Sequence, residues 1–295
     1  MTVSGPTYHL RAGEAAKPPY DVVVTPKSAG WGYSGLAVLS LAAGASAAVE
    51  TGETEVLVLS LGGGCTVTGE GNTLTVTGRE SVFAGPSDFV YVPRGASVQI
   101  SSTDGGRFAL PSSLCTSRLP MRHQPASAVP VELRGAGQAS RQVNNFCTPD
   151  AFEADRLIAC EVLTPGGNWS SYPPHKHDEQ SERESQLEEI YYFEVAPGPV
   201  GPGLAYQRVY GHDRADIDVL AEVRSGDVVL IPHGWHGPSM AVPGYDLYYL
   251  NVMAGPGQKR AWKICDDPAH GWVRSTWDDQ DVDPRLPFAA TGVAR

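Results

Sequence analysis

Asp88-Phe-Val-Tyr-Val-Pro93-Arg-Gly95 and Asp227-Val-Val-Leu-Ile-Pro232-His-Gly234 carry one signature at two places in the chain: an acidic residue, four apolar residues, a proline and a glycine. Consecutive apolar residues rich in valine read as a buried strand, and Pro-x-Gly reads as the turn that ends it. Upstream of each lies a second matching run, Glu55-Val-Leu-Val-Leu-Ser-Leu61 before the first and Glu189-Ile-Tyr-Tyr-Phe-Glu-Val195 before the second. Two strand signatures repeated in one order mark an internal duplication of a β unit.

The same texture extends outward from these runs. Tyr20–Thr25, Ala37–Leu41, Thr73–Thr77 and Ser97–Ser101 complete a first set of predicted strands. Leu157–Leu163, Ala205–Tyr210, Ile217–Val223 and Asp246–Val252 complete a second. Glycine, proline, serine and aspartate separate them at the roughly 8–12-residue spacing of a sandwich or barrel, and helical periodicity is scarce. The predicted fold is all-β, two tandem jelly-roll barrels, with domains at 1–125 and 126–295. The Ser-, Pro- and Gly-rich stretch from Thr103 to Asn145 is expected to hold the connection, and the polar tail from Asp278 to Arg295 to lie on the surface or be disordered.

Composition narrows the function classes. Twenty-two Lys and Arg against 33 Asp and Glu give a net charge of −11, which supplies no basic footprint for nucleic acid. Five scattered cysteines lack Cys-x-x-Cys spacing, so they read as reduced, small buried residues. The longest apolar run, Gly35 to Val49, is too short and too interrupted to span a bilayer. No basic segment followed by an apolar stretch opens the chain, so a soluble cytoplasmic protein without membrane partners is expected. Exposed sheet edges make a homo-oligomer an open option.

The histidines break the symmetry of the duplication. Of eight, five fall between His175 and His236, and none lies between His9 and His123. In Pro173-Pro-His175-Lys-His177, residues two apart on an extended strand project from one face, offering two imidazoles to a divalent metal. Glu188 and Glu189 open the next strand and point to opposite faces. Glu189 shares its face with Tyr191, Phe193 and Val195, the likelier interior, so it is the inward carboxylate and Glu188 the solvated one. A buried carboxylate needs a partner, which a metal on His175 and His177 would supply. His236, beyond the Gly234 turn, is the fourth candidate ligand, with His233 in reserve.

These residues resemble the cupin motifs, through His175, His177 and Glu189, then Gly226, Pro232, Gly234 and His236. The spacing departs from the family pattern: eleven residues separate His177 from Glu189. The extra polar segment Asp178–Leu187 reads as a loop over the barrel mouth or as a solvated insertion. Longer strings resemble the 5-deoxy-glucuronate isomerases of myo-inositol breakdown. They are Ser170-Ser-Tyr-Pro-Pro-His-Lys-His-Asp178, Leu187-Glu-Glu-Ile-Tyr-Tyr-Phe193, Gly244-Tyr-Asp-Leu-Tyr-Tyr-Leu-Asn-Val-Met-Ala-Gly-Pro256 followed by Trp262 and Asp266-Asp-Pro268 and, in the earlier half, Ser140-Arg-Gln-Val-Asn-Asn-Phe146.

That resemblance implies a bicupin with metal in one half, and conversion of 5-deoxy-D-glucuronate to 5-dehydro-2-deoxy-D-gluconate. The reaction removes a proton beside a carbonyl and returns one to the neighbouring carbon. One divalent ion (Zn, Mn, Fe, Co or Ni) would stabilise the enediolate. Glu188, His233, Tyr249 and a metal-bound water are candidate bases, which spacing does not rank. A sugar-acid substrate needs a local cation in so acidic a protein; Arg141 is the first choice, with Lys259 and Arg183 behind it. A metal-dependent cupin dioxygenase and a non-catalytic sugar-binding bicupin remain alternatives on the same residues.

Overall fold

The computed structural model describes residues 7–288. It is built almost wholly of antiparallel strands, relieved by one short helix, Pro26–Ala29, and a few 3-10 turns. Among the described residues no helix is long and apolar enough to cross a membrane. The first half is a nine-stranded sheet curled into a barrel, in which the sixteen-residue strand Thr54–Gly69 pairs along both edges. The second half closes a barrel from two sheets. One has seven strands, in which Glu188–Val195 lies between Val228–Ile231 and Leu247–Ala254. The other has six, in which Trp235–Ala241 lies between Ala205–His212 and His175–Lys176.

Alternate residues of the central strands serve different cores. Val56 and Val58 fill the first barrel, and Tyr191, Phe193 and Tyr249 fill the second. Leu57, Leu59, Ile190, Tyr192 and Leu250 meet in a third core between the halves. A strand covered on both faces reads as an unbroken apolar run, because each face gains roughly 1.5–3 kcal/mol per large buried side chain. The face carrying Glu188, Ile190 and Tyr192, expected to be solvated, therefore packs against the first half instead.

Strand register also corrects the alignment of the two copies. Val56 lies opposite Val92, and Glu189 lies opposite Ile231; Pro93 and Pro232 follow directly. The duplication thus matches Glu55 with Glu188, and Val56 with Glu189. The two matched glutamates do one job from opposite sides of the interface. Glu55 accepts the backbone N–H groups of Asp155, Arg156 and Leu157 and the Tyr91 hydroxyl. Glu188 accepts those of Gly32, Tyr33 and Ser34.

The stretch Thr103–Asn145, expected to hold the connection, is itself largely strand: Gly106–Leu114, Arg122–Gln124, Val131–Arg134 and Arg141–Cys147 lie within or overlap it. Their alternation is short and interrupted by Ser and Pro, which hid it. Sheet membership changes between Gln124 and Val131, but His9–Leu10 crosses over to pair with Val228–Val229 of the second half. The tail is held as far as Phe288, because Leu286 and Phe288 enter the inter-barrel core and the Phe288 N–H donates to Gln142. Residues 289–295 of the expected tail lie outside the described residues.

Candidate active site

His177, Glu189 and His236 converge inside the second barrel, with ligand atoms within 4.8 Å of one another and all three side chains buried. The sheet register brings them there, as Glu189 projects inward from its strand and His236 enters across the strand from His175. The His236 turn needs glycine. Gly234 has φ +91° and a Cβ there would sit 2.7 Å from the Tyr210 carbonyl; at Gly237 it would sit 1.7 Å from that of Ser171. His175 stands at the edge of this trio, its ring centroid 4.5 Å from that of His236 and 6.4 Å from that of His177.

Each imidazole of the trio is aimed by its far nitrogen. His177 Nδ1 lies 3.3 Å from the Leu187 carbonyl and His236 Nδ1 3.2 Å from the Gly234 carbonyl. Because a carbonyl only accepts, those contacts put the proton on Nδ1 and turn Nε2 towards the centre. His177 Nε2 is 3.0 Å from Glu189 Oε2 and bonds it. His236 Nε2 is 3.1 Å from the same oxygen but in a geometry that makes no hydrogen bond, so it is a buried nitrogen without a partner. Such an orphan carries a penalty of about 1–3 kcal/mol unless something accepts its lone pair. A divalent cation among two imidazoles and a carboxylate does so, and the donor set fits one.

Electrostatics agree with a paired cluster. Burial disfavours the Glu189 charge, yet the imidazoles of His177 and His236 outweigh it and hold the carboxyl down at about 2. Burial likewise opposes charge on His177, but the Glu189 carboxylate wins and raises its pKa. His175 has no such partner, and burial, with His236 and His177 adding to it, pushes its pKa well below the usual value. Asn251 donates to Glu189 Oε1, leaving Oε2 to the imidazoles.

A funnel opens from the cluster. Its narrow foot, about 30 Å³, is lined by Glu189, Tyr191, Tyr249 and Asn251. Above it a chamber of about 310 Å³ is walled by Arg134, Arg141, His175, Trp262, Asp266 and Arg274. Arg134 is forked onto Glu132 and Arg274 onto Asp266. Arg141 is 4 % exposed and, among the described residues, has no carboxylate partner; it donates only to the Ala139 carbonyl. Burial, reinforced by Arg134 and Arg274, lowers its pKa to about 10, so it remains a cation at neutral pH.

The other expected site residues lie elsewhere. The half-buried Glu188 carboxylate is engaged by three backbone N–H groups of the first half and does not line the funnel. His233 sits in the turn against the Asp216 carbonyl, and Lys259 lines a separate cleft with Arg156 and Gln180. Tyr249 does line the foot, but its hydroxyl donates to Ser170, and burial raises its pKa to about 12. No residue of the insertion Asp178–Leu187 lines the foot or the chamber. The segment folds around Lys176, whose ammonium is bound by Asp178, Glu179 and Glu184; Arg183 rides on it, outside the funnel. Asp178, Glu179 and His212 also cluster, but Lys176 and Arg214 already occupy those carboxylates. Sequence reasoning gave no site role to Arg134, Asn251, Trp262, Asp266 or Arg274. Asn251, Trp262 and Asp266 lay within the family-like strings, whereas nothing local marked the arginines.

Paired barrels with a histidine–glutamate cluster in the second define a bicupin. The chain belongs to the KduI/IolB family, whose model matches residues 8–273. It is 44% identical over 255 residues to a 5-deoxy-glucuronate isomerase of Geobacillus kaustophilus, covering 85% of this chain and 90% of that protein. It is 40% identical over 253 residues to that of Bacillus subtilis, covering 85% and 91%. The crystal structure of an IolB-like protein from Salmonella typhimurium superposes with a TM-score of 0.83 at 32% identity, over 91% of this chain and 99% of that one. The oxalate decarboxylase of Lactobacillus farciminis shares the fold, with a TM-score of 0.62 at 14% identity over 89% of each chain.

Proposed function

We propose that this protein is a 5-deoxy-glucuronate isomerase that takes 5-deoxy-D-glucuronate to 5-dehydro-2-deoxy-D-gluconate in the cytoplasm, with one divalent metal held by His175, His177, Glu189 and His236. The observation that carries the proposal is the orphaned His236 Nε2 beside Glu189, at the foot of a funnel walled by the unneutralised Arg141. When bound, the cation would act as a Lewis acid on substrate oxygens and offset the charge that develops when a carbon-bound proton leaves. Arg141 grips the substrate carboxylate, since a buried guanidinium with no counter-ion has its fork of donors to spare. That grip fixes which end of the sugar acid faces the histidines. Tyr249 and Tyr191, stacked 4.9 Å apart, wall the foot and keep bulk water from it.

Metal analysis of the purified protein, with an isomerase assay on wild type and His177→Ala, tests the reading. Wild type should bind one metal per chain and isomerise without consuming oxygen, and His177→Ala should lose both metal and activity. A fully active, metal-free His177→Ala protein, or stoichiometric oxygen uptake, would overturn it.

A further inference from the structure

Isomerisation needs a group that carries a proton between adjacent carbons, and the expected bases are displaced: Glu188 is consumed by the interface and His233 faces the Asp216 carbonyl. Among the side chains walling the funnel, Glu189 is bonded to the His177 imidazole and Asn251, with His236 Nε2 3.1 Å from Oε2. The Tyr249 hydroxyl is committed to Ser170 and that of Tyr191 meets Ser171. One carboxylate in the chamber is left outside the cluster, that of Asp266.

Its position is set by the backbone. Asp266 lies directly opposite His175 in an antiparallel pair, and opposed residues place their side chains on one face, with Cβ atoms about 4.5–5.5 Å apart. The carboxylate therefore stands beside the cluster and opens to the chamber, 23 % exposed. Arg274, carried by the 3-10 stretch Gly271–Asp279, is forked onto it through Nε and Nη2. A fork uses one lone pair of each oxygen and leaves the other for a proton, while fixing the plane of the carboxylate.

We propose that Asp266 is the base of the isomerase reaction and Arg274 its positioning residue; this rests on the isomerase reading above. The Asp266 carboxylate takes the proton from C2 of the sugar acid. The C–H electron pair forms the C1–C2 double bond, and the carbonyl pair moves onto O1. The hydroxyl proton of O2 passes to O1, C2–O2 closes to a carbonyl, and Asp266 returns its proton to C1. Atoms and electrons balance without an oxidant or reductant.

The test is turnover of 5-deoxy-D-glucuronate in D₂O by the metal-loaded enzyme, with NMR of the product. Wild type should place deuterium at the carbon that was C1 of the substrate, the CH2OH carbon C6 of the product, because a carboxylate open to the chamber exchanges its proton with solvent. Asp266→Asn should lose ~10²–10⁴-fold in kcat with metal content unchanged and KM shifted only a few-fold. Arg274→Gln breaks the same ion pair but keeps the carboxylate, so it should retain far more activity than Asp266→Asn and still deliver deuterium to that carbon. Equal losses in the two variants would make the pair structural and overturn the assignment, as would a deuterium-free wild-type product or an active Asp266→Asn. A wild type that does not turn over this substrate fails the parent reading, and the assignment with it.

Discussion

Replacing Glu188 with glutamine separates a structural role from a chemical one. The carboxylate accepts from Gly32 N at 2.6 Å through Oε1, and from Tyr33 N at 2.8 Å and Ser34 N at 3.0 Å through Oε2. An amide keeps the shape but has one acceptor oxygen. Its better orientation serves Tyr33 and Ser34 and points –NH₂ at the Gly32 N–H. One charge-assisted bond is lost and two become neutral. At ~1.5–3 kcal/mol for a bond to a charged group and ~1 for a neutral one, with water recovering part of the Gly32 loss, the net cost is about 2–5 kcal/mol. Urea unfolding followed by tryptophan fluorescence measures it, with Trp31 a nearby reporter because its Nε1 donates to the Ser34 carbonyl. The isomerase kcat of the folded Glu188→Gln protein should stay within about twofold of wild type. A loss of ~10²-fold or more in kcat with an unmoved unfolding midpoint would refute the clamp and return Glu188 to the list of bases.

Arg141→Met should raise KM for the sugar acid roughly ten- to a hundredfold, the equivalent of about 1.5–3 kcal/mol for a charged contact. The affinity for a carboxylate-free aldose of the same size should barely move in a direct binding measurement. Asn251→Ala frees Glu189 Oε1 and should weaken metal affinity about 10–100-fold, as loss of a ligand's supporting hydrogen bond commonly does; competition with a chelating dye reads it. In the metal-free protein His177 meets acceptors at both ring nitrogens, Leu187 O and Glu189 Oε2, and its pKa is raised. Below that raised pKa it holds a proton that a metal must displace, whereas Glu189, with a pKa of about 2, has none to give. Calorimetry in buffers of different ionisation enthalpy should show proton release on metal binding that grows as the pH falls through the raised His177 pKa. Affinity should fall about tenfold per pH unit below the raised His177 pKa and level off above it.

Much of this protein could be read from its letters, because the readable features are local. A run such as Phe89–Val92 is apolar at every position and bounded by turn formers, so its strand and its ends coincide with the structure. His175 and His177 two apart, Glu189 at the head of a strand and His236 after a glycine turn are short-range patterns whose period settles which face each takes. That one copy has imidazoles to offer and the other has none followed from counting histidines.

What the letters left open depended on what lies across a gap in space. Glu188 and Glu189 are adjacent in the chain. One enters a barrel and the other the neighbouring half only because a second sheet covers the far face of their strand. The single-residue shift that matches Glu55 with Glu188 is visible in strand register, not in similarity of side chains. Arg134, Arg141 and Arg274 reach one chamber from an edge strand, a buried strand and a 3-10 turn. Which guanidinium is left without an ion pair among the described residues was decided by Glu132 and Asp266 forking onto two of them and no carboxylate reaching the third. Charge pairing over such distances is a property of the folded packing, and no periodicity in the chain encodes it.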